Sequence, residues 1–126
     1  MRRPFRVGHS NDVRLDHVQV AAPRGCEPEA RAFYGGALGL RELEKPEQLR
    51  GRGGVWFALD RDQELHVGVE AGFAPARKAH PAFAVDDLDA LAARLGELQW
   101  DDSLPGVRRF YADDPFGNRL EFVASS

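Results

Sequence analysis

Asp113-Asp114-Pro115-Phe116-Gly117-Asn118-Arg119-Leu120-Glu121-Phe122-Val123 reads as a tight turn that feeds a strand. Proline fixes φ, glycine and asparagine tolerate positive φ, and the run behind them alternates with period two. On such a strand Leu120 and Phe122 point to one face, while Arg119, Glu121 and Val123 point to the other. Taken alone, Glu121 is a polar residue on the open face of an antiparallel strand. Whether it does more depends on what the rest of the chain brings to that face.

Working outward, the same kind of pattern occurs twice. Residues 13–20 read as a strand with Val18 and Val20 on one side and Leu15, His17 and Gln19 on the other. Pro23 and Gly25 break it, and Pro28 sits where a first helical turn accepts proline. Phe33, Tyr34, Ala37 and Leu38 then recur at helical spacing up to a stop at Gly39. Residues 40–43 predict a second strand, 45–54 a polar and mobile excursion, 55–59 a third strand and 64–70 a fourth. In the fourth, Leu65, Val67 and Val69 share a face and leave His66, Gly68 and Glu70 on the other.

After a Gly-, Pro- and Ala-containing linker the order restarts. Residues 79–85 predict a strand with Phe83 and Val85 opposite His80, Ala82 and Ala84. Asp86 or Asp87 can cap a helix that carries Leu88, Leu91, Ala92 and Leu95 and stops at Gly96. Strands at 98–102, 107–112 and 119–123 follow. Each half therefore runs strand, helix, strand, strand, strand, which an internal duplication explains most economically. The expected organisation is an irregular arm over 1–12 and one α+β domain over 13–126. That domain divides into module one at 13–70, a linker at 71–79 and module two at 80–126.

Bulk properties limit the function. A chain of 126 residues suits one domain, and a net charge of −3 offers no basic field for nucleic acid. No apolar run reaches membrane length. The opening Met1-Arg2-Arg3-Pro4 is followed by no apolar region, so no signal peptide is expected and the predicted location is cytoplasmic. The single Cys26 excludes an internal disulfide and lacks a nucleophile's neighbours.

The first and last strands of each half carry a possible metal ligand on the face opposite the aliphatic residues: His17 and His66, then His80 and Glu121. If the two sheets curve toward each other, these four converge. Imidazole and carboxylate together suit a divalent ion such as Zn, Ni, Fe, Mn or Co, and a mixed set with open positions suits catalysis. Of Arg108 and Arg109, and of Phe110 and Tyr111, one each is expected to face the same cavity, where arginine can hold an anionic substrate. Trp56 and Phe57 lie on opposite faces of one strand, so one is core and the other, Trp56 by choice, can line a pocket. His9 repeats nothing and is expected to be solvated.

Leu15-Asp16-His17-Val18, Ala32-Phe33-Tyr34, Leu38-Gly39-Leu40, Leu65-His66-Val67, the run from His80 to Asp86, and Asp114-Pro115-Phe116-Gly117-Asn118 ahead of Leu120-Glu121 together give a resemblance. The chain resembles the vicinal oxygen chelate superfamily of glyoxalases, bleomycin resistance proteins and extradiol dioxygenases. That resemblance implies paired βαβββ modules with curved mixed sheets and outer helices, commonly assembled as a homodimer. It implies a divalent metal at His17, His66, His80 and Glu121, chelating adjacent oxygens of a small metabolite and stabilising an enolate-type intermediate, with Glu121 doubling as base. It thus implies a lyase or isomerase of glyoxalase-like kind. The alternatives are a drug- or metabolite-binding protein of the bleomycin-resistance type and an Fe(II) dioxygenase. His66 stands where glyoxalase I has glutamate, which departs from the glutathione-dependent pattern.

Overall fold

The computed structural model describes residues 13–125, so the predicted arm over 1–12 and His9 lie outside the described residues. In chain order the elements are β1 (His17–Ala22), α1 (Glu27–Ala30), a π-helical continuation (Arg31–Ala37), β2 (Glu42–Leu43), a 3-10 helix (Glu47–Arg52), β3 (Val55–Ala58), a 3-10 turn (Asp60–Asp62) and β4 (Glu64–Val69). Then come β5 (Ala82–Val85), α2 (Leu88–Leu95), β6 (Gln99–Trp100), β7 (Arg109–Asp113) and β8 (Arg119–Ala124). They form two four-stranded mixed sheets, ordered β1-β4-β3-β2 and β5-β8-β7-β6. The first and last strand of each set run parallel and the other neighbours antiparallel. The α+β reading and the doubled strand order thus hold in the structure.

Several boundaries differ from expectation for local reasons. β1 begins at His17, because its partner β4 begins at Glu64 directly opposite. Val13 and Leu15 therefore stay exposed, with the Glu64 amide donating to Asp16 O at the strand's start. The first helix widens after one turn: Leu38 N–H donates back five residues to Phe33 O, and Leu40 N–H to Tyr34 O, around the Gly35-Gly36 pair. Residues 45–54 hold a 3-10 helix rather than irregular chain, pinned by Arg50 donating to Lys45 O. Between the two Asp candidates, Asp87 is the cap of α2, accepting from Ala90 N–H at 3.1 Å.

One apolar core serves both sheets. Val20, Ala22, Val55, Phe57, Leu65 and Val67 from the first sheet join Phe110, Ala112, Leu120 and Phe122 from the second, with Tyr34, Leu88 and Leu91 from the helices. Each fully buried large side chain contributes about 1.5–3 kcal/mol. Strand alternation then leaves the opposite face of each sheet to the other residues. On the second sheet that face is open, since Ala82 and Ala84 are exposed while Phe83 and Val85 pack inward.

The 114–118 turn fastens the two modules together. Gly117 adopts φ +91°, a conformation L side chains rarely take, and its N–H donates to Asp114 O. Asp114, 4 % exposed, accepts from the Phe116 and Asn118 amides through Oδ1, and from Tyr34 Oη and Asn118 Nδ2 through Oδ2. Asn118 Nδ2 also donates to Ala21 O on β1, while its Oδ1 accepts from Ala76 N–H. A buried carboxylate with that many donors is well satisfied, and its partners belong to both modules.

Candidate metal centre

On the first sheet, cross-strand register places Gln19 and Trp56 on either side of His66. The Trp56 and His66 rings lie 3.8 Å apart at 2°, and the His66 and His17 rings 4.2 Å apart at 18°. Three rings thus stack in a row, and the central one is only 5 % exposed. His66 Nε2 lies 2.8 Å from Glu64 Oε1, and His17 Nδ1 lies 2.9 Å from Asp16 Oδ2. Gly68 continues the same face. A Cβ there would come within 2.5 Å of the Gln19 side chain, so only glycine lets Gln19 lie flat.

On the second sheet, Glu121 stands directly between Ala82 of β5 and Tyr111 of β7. His80, just ahead of β5, places Nε2 3.0 Å from Glu121 Oε1. The other carboxylate oxygen accepts from Arg109 at 3.1 Å. Arg109 also donates to Asp101 Oδ2 at 3.1 Å and Ser103 Oγ at 3.3 Å, while its buried Nε has no hydrogen-bond partner among the described residues. The Glu121 hydrogen bond pushes the Arg109 guanidinium above its ordinary value. Tyr111 lies edge-on to His80, with Arg119 over its ring at 3.9 Å.

Imidazole and carboxylate, the side chains at these positions, are donor types that a divalent metal takes. Lys78 O can only accept, so the 2.8 Å contact with His80 Nδ1 puts the ring proton on Nδ1. Nε2 is then the nitrogen turned toward Glu121 Oε1, at 3.0 Å. His17 is oriented likewise, its Nδ1 toward Asp16 and its Nε2 without a hydrogen-bond partner among the described residues, an arrangement like the one that fixes the tautomer of metal-bound histidines.

The four candidates are brought together as two pairs, His17 with His66 and His80 with Glu121. Among the described residues no three His, Cys, Asp or Glu side chains gather as a metal-holding group. Of the predicted substrate contacts, Arg109 and Tyr111 lie on the Glu121 face and Trp56 on the His66 face. Arg108 points the other way and pairs with Asp89 of α2 at 2.8 Å. Sequence reasoning missed Glu64, Asp101 and Arg119; Glu64 and Arg119 each sit two residues from a named candidate on the same strand, which was the available signal, whereas Asp101 meets Arg109 only through the pairing of neighbouring strands. A cleft of about 810 Å³ lies elsewhere, lined by Pro23, Arg24, Glu27, Val69 and Phe73 among others, and touches none of the candidates.

A family profile described as Glyoxalase/Bleomycin resistance protein/Dioxygenase superfamily matches residues 14–122. No curated protein matches the chain. Among solved structures, a protein from Bacillus anthracis assigned to the glyoxalase family is 50 % identical. The match covers 94 % of this chain and 100 % of that one, with TM-score 0.87. Lactoylglutathione lyase from Agrobacterium tumefaciens is 20 % identical over 92 % of this chain and 96 % of its own, with TM-score 0.69. TnmS3, an antibiotic binding protein from Streptomyces sp. CB03234, is 22 % identical over 94 % and 100 %, with TM-score 0.71. The last two likenesses are of fold.

Proposed function

Since the chain belongs to the Glyoxalase/Bleomycin resistance protein/Dioxygenase superfamily, we propose that it is a metal-dependent enzyme for a small metabolite with two adjacent oxygens, working by proton transfer of the lyase or isomerase kind. The observation that supports this reading is the His80–Glu121 pair: an imidazole and a carboxylate, both ligand types that a divalent ion takes, brought to 3.0 Å from 41 residues apart in sequence. His17, His66, His80 and Glu121 would hold a Zn, Ni, Fe, Mn or Co ion. Bound there, the ion supplies Lewis acidity toward the substrate oxygens.

The protein's own groups do the rest. Arg109 fixes Glu121 through Oε2, which leaves Oε1, beside His80 Nε2, as the oxygen that would take a proton from substrate carbon and return it. His80, held through Nδ1 by Lys78 O, keeps its ring against the Glu121 carboxylate. The Trp56–His66–His17 stack shields the opposite wall from water. Because the two ligand pairs stay apart within the described chain, we place the complete set in a homodimer, where the first sheet of one protomer meets the second sheet of its partner.

Two measurements test this. Protein purified without added metal should carry a divalent ion by elemental analysis, and His80→Ala should lose most of it; unchanged content in the variant sinks the reading. Mixing His17→Ala with His80→Ala protein should regenerate one intact site per mixed dimer, so zinc binding returns on mixing. A monomer by sedimentation, or no recovery, removes the shared site. The ring stack favours a second reading, a binding protein whose planar ligand extends the stack without turnover. That protein would bind planar aromatic ligands equally well after chelation of all metal.

A further inference from the structure

The open face of the second sheet carries two guanidinium groups, and they are not equivalent. Arg109 is committed: it donates to Glu121, Asp101 and Ser103. Arg119 sits two residues before Glu121 on β8 and so projects from the same face. Its side chain rests over the Tyr111 ring at 3.9 Å and makes no hydrogen bond or close ion pair among the described residues, although, behind the Ser103 hydrogen bonds and the Arg109 charge, its own charge helps hold the Asp101 carboxyl below its ordinary value. The carboxylates that could neutralise it are taken. Asp113, directly across the ladder from Arg119, pairs with Arg77 at 2.8 Å, and Asp101 and Glu121 both pair with Arg109.

An arginine whose π-face is held by an aromatic ring keeps its N–H edge for hydrogen bonding, and the ring restrains the side chain without consuming a donor. Arg119 is thus half-buried, oriented and unspent, beside the group assigned the proton transfer. Successive same-face residues on a strand are roughly 7 Å apart. Ala82 and Ala84 are small and leave room above this floor.

We propose that Arg119 is the specificity-determining anchor for an anionic oxygen group of the substrate, carried a few atoms away from the two oxygens at the metal centre. The substrate class is accordingly an oxygenated metabolite with a separate carboxylate or phosphoryl group. A bidentate guanidinium contact to such a group would use the N–H edge that no carboxylate among the described residues hydrogen-bonds. This assignment rests on the metal-centre reading for the place of the reacting oxygens, but not for the anion contact itself.

The test uses malate, its C4 monoamide and 3-phosphoglycerate as probes, titrated by calorimetry and NMR into full-length wild type, Arg119→Gln and Arg119→Lys, each with and without zinc. Wild type should bind malate or 3-phosphoglycerate about tenfold or more tightly than the monoamide. Whichever of the two anions shows the preference identifies carboxylate or phosphoryl. Arg119→Gln should abolish the preference while zinc affinity and melting temperature stay unchanged, and Arg119→Lys should keep part of it. Equal binding of all three probes by wild type, or a preference that survives Arg119→Gln, overturns the assignment. Failure of zinc to bind any variant, with the anion preference intact in metal-free protein, removes the metal reading and leaves the anchor standing.

Discussion

The two sheets repeat one topology and one register, yet they hold their polar faces together by opposite means. On the first sheet His17, His66 and Trp56 form a column of rings, an arrangement dominated by dispersion and quadrupole. On the second, the equivalent ground is a chain of charges from Glu121 to Arg109 to Asp101, with His80 hydrogen-bonded at its head. Equivalent backbone positions therefore do not carry equivalent chemistry. Stacked rings are rigid and weakly sensitive to ionic conditions, whereas a charge chain responds to whatever ion or proton enters it. On the proposed reading the first face is the wall and the second is the reactive side.

The sharpest way to break this pairing is to cut the tie between the modules. Asp114→Ala leaves the Tyr34 hydroxyl and the Asn118 groups without their buried acceptor, and should cost about 3–5 kcal/mol. Trp56 and Trp100 report one sheet each, so both indole NMR signals should melt at the lower temperature. Melting of the Trp100 half alone would show that the turn serves one module only. Next in size is the contrast between the faces. Glu121→Gln should lower zinc affinity about a hundredfold or more, and His66→Ala, which removes the middle of the stack, roughly tenfold. Equal losses in competition with a chromogenic chelator would erase the distinction between wall and reactive side.

The smallest effect is a pH dependence. Burial, then the Asp114 charge and hydrogen bond, push the Tyr34 phenol well above its ordinary value. The unfolded chain releases this proton near pH 10, while the folded protein keeps it. Above that pH the unfolded state binds fewer protons, so stability falls as pH rises, by about 1.4 kcal/mol per pH unit from this group. Tyr34→Phe should be less stable at pH 8, yet lose less between pH 8 and pH 11. Parallel urea midpoints for the two proteins across that range would contradict the burial argument.

Much of this was legible in the chain. Alternation placed Leu120 and Phe122 inward and Glu121 outward, and the doubled pattern of strand, helix and three strands survives in both sheets. The candidate ligands could be named because each opposes aliphatic neighbours on its strand. What periodicity could not supply is lateral contact. Nothing in the spacing says that His66 is sandwiched between rings, that Arg109 rather than Arg108 meets Glu121, or that the ligands form two pairs. Those depend on β3 lying beside β4 and β7 beside β8, which is register rather than pattern. The π-helical turn was hidden for a related reason. Gly35-Gly36 weakens a helix in sequence, but it is the backward bonds of Leu38 and Leu40 that decide how it widens.

The buried turn also sets the order in which the fold can assemble. Tyr34 and Asp114 are 80 residues apart in sequence, and Asn118 and Ala21 are 97 apart. Such contacts require nearly the whole chain to be looped before any of them stabilises anything, so the entropy of closure precedes the gain. Each βαβββ unit can draw on its own nearer contacts first, and the latch closes last. The two polar faces consequently acquire their fixed relation in the final folding step. Until then the Asp114 carboxylate stays hydrated, and the species awaiting closure are the ones most open to proteolysis and to pairing with a second chain.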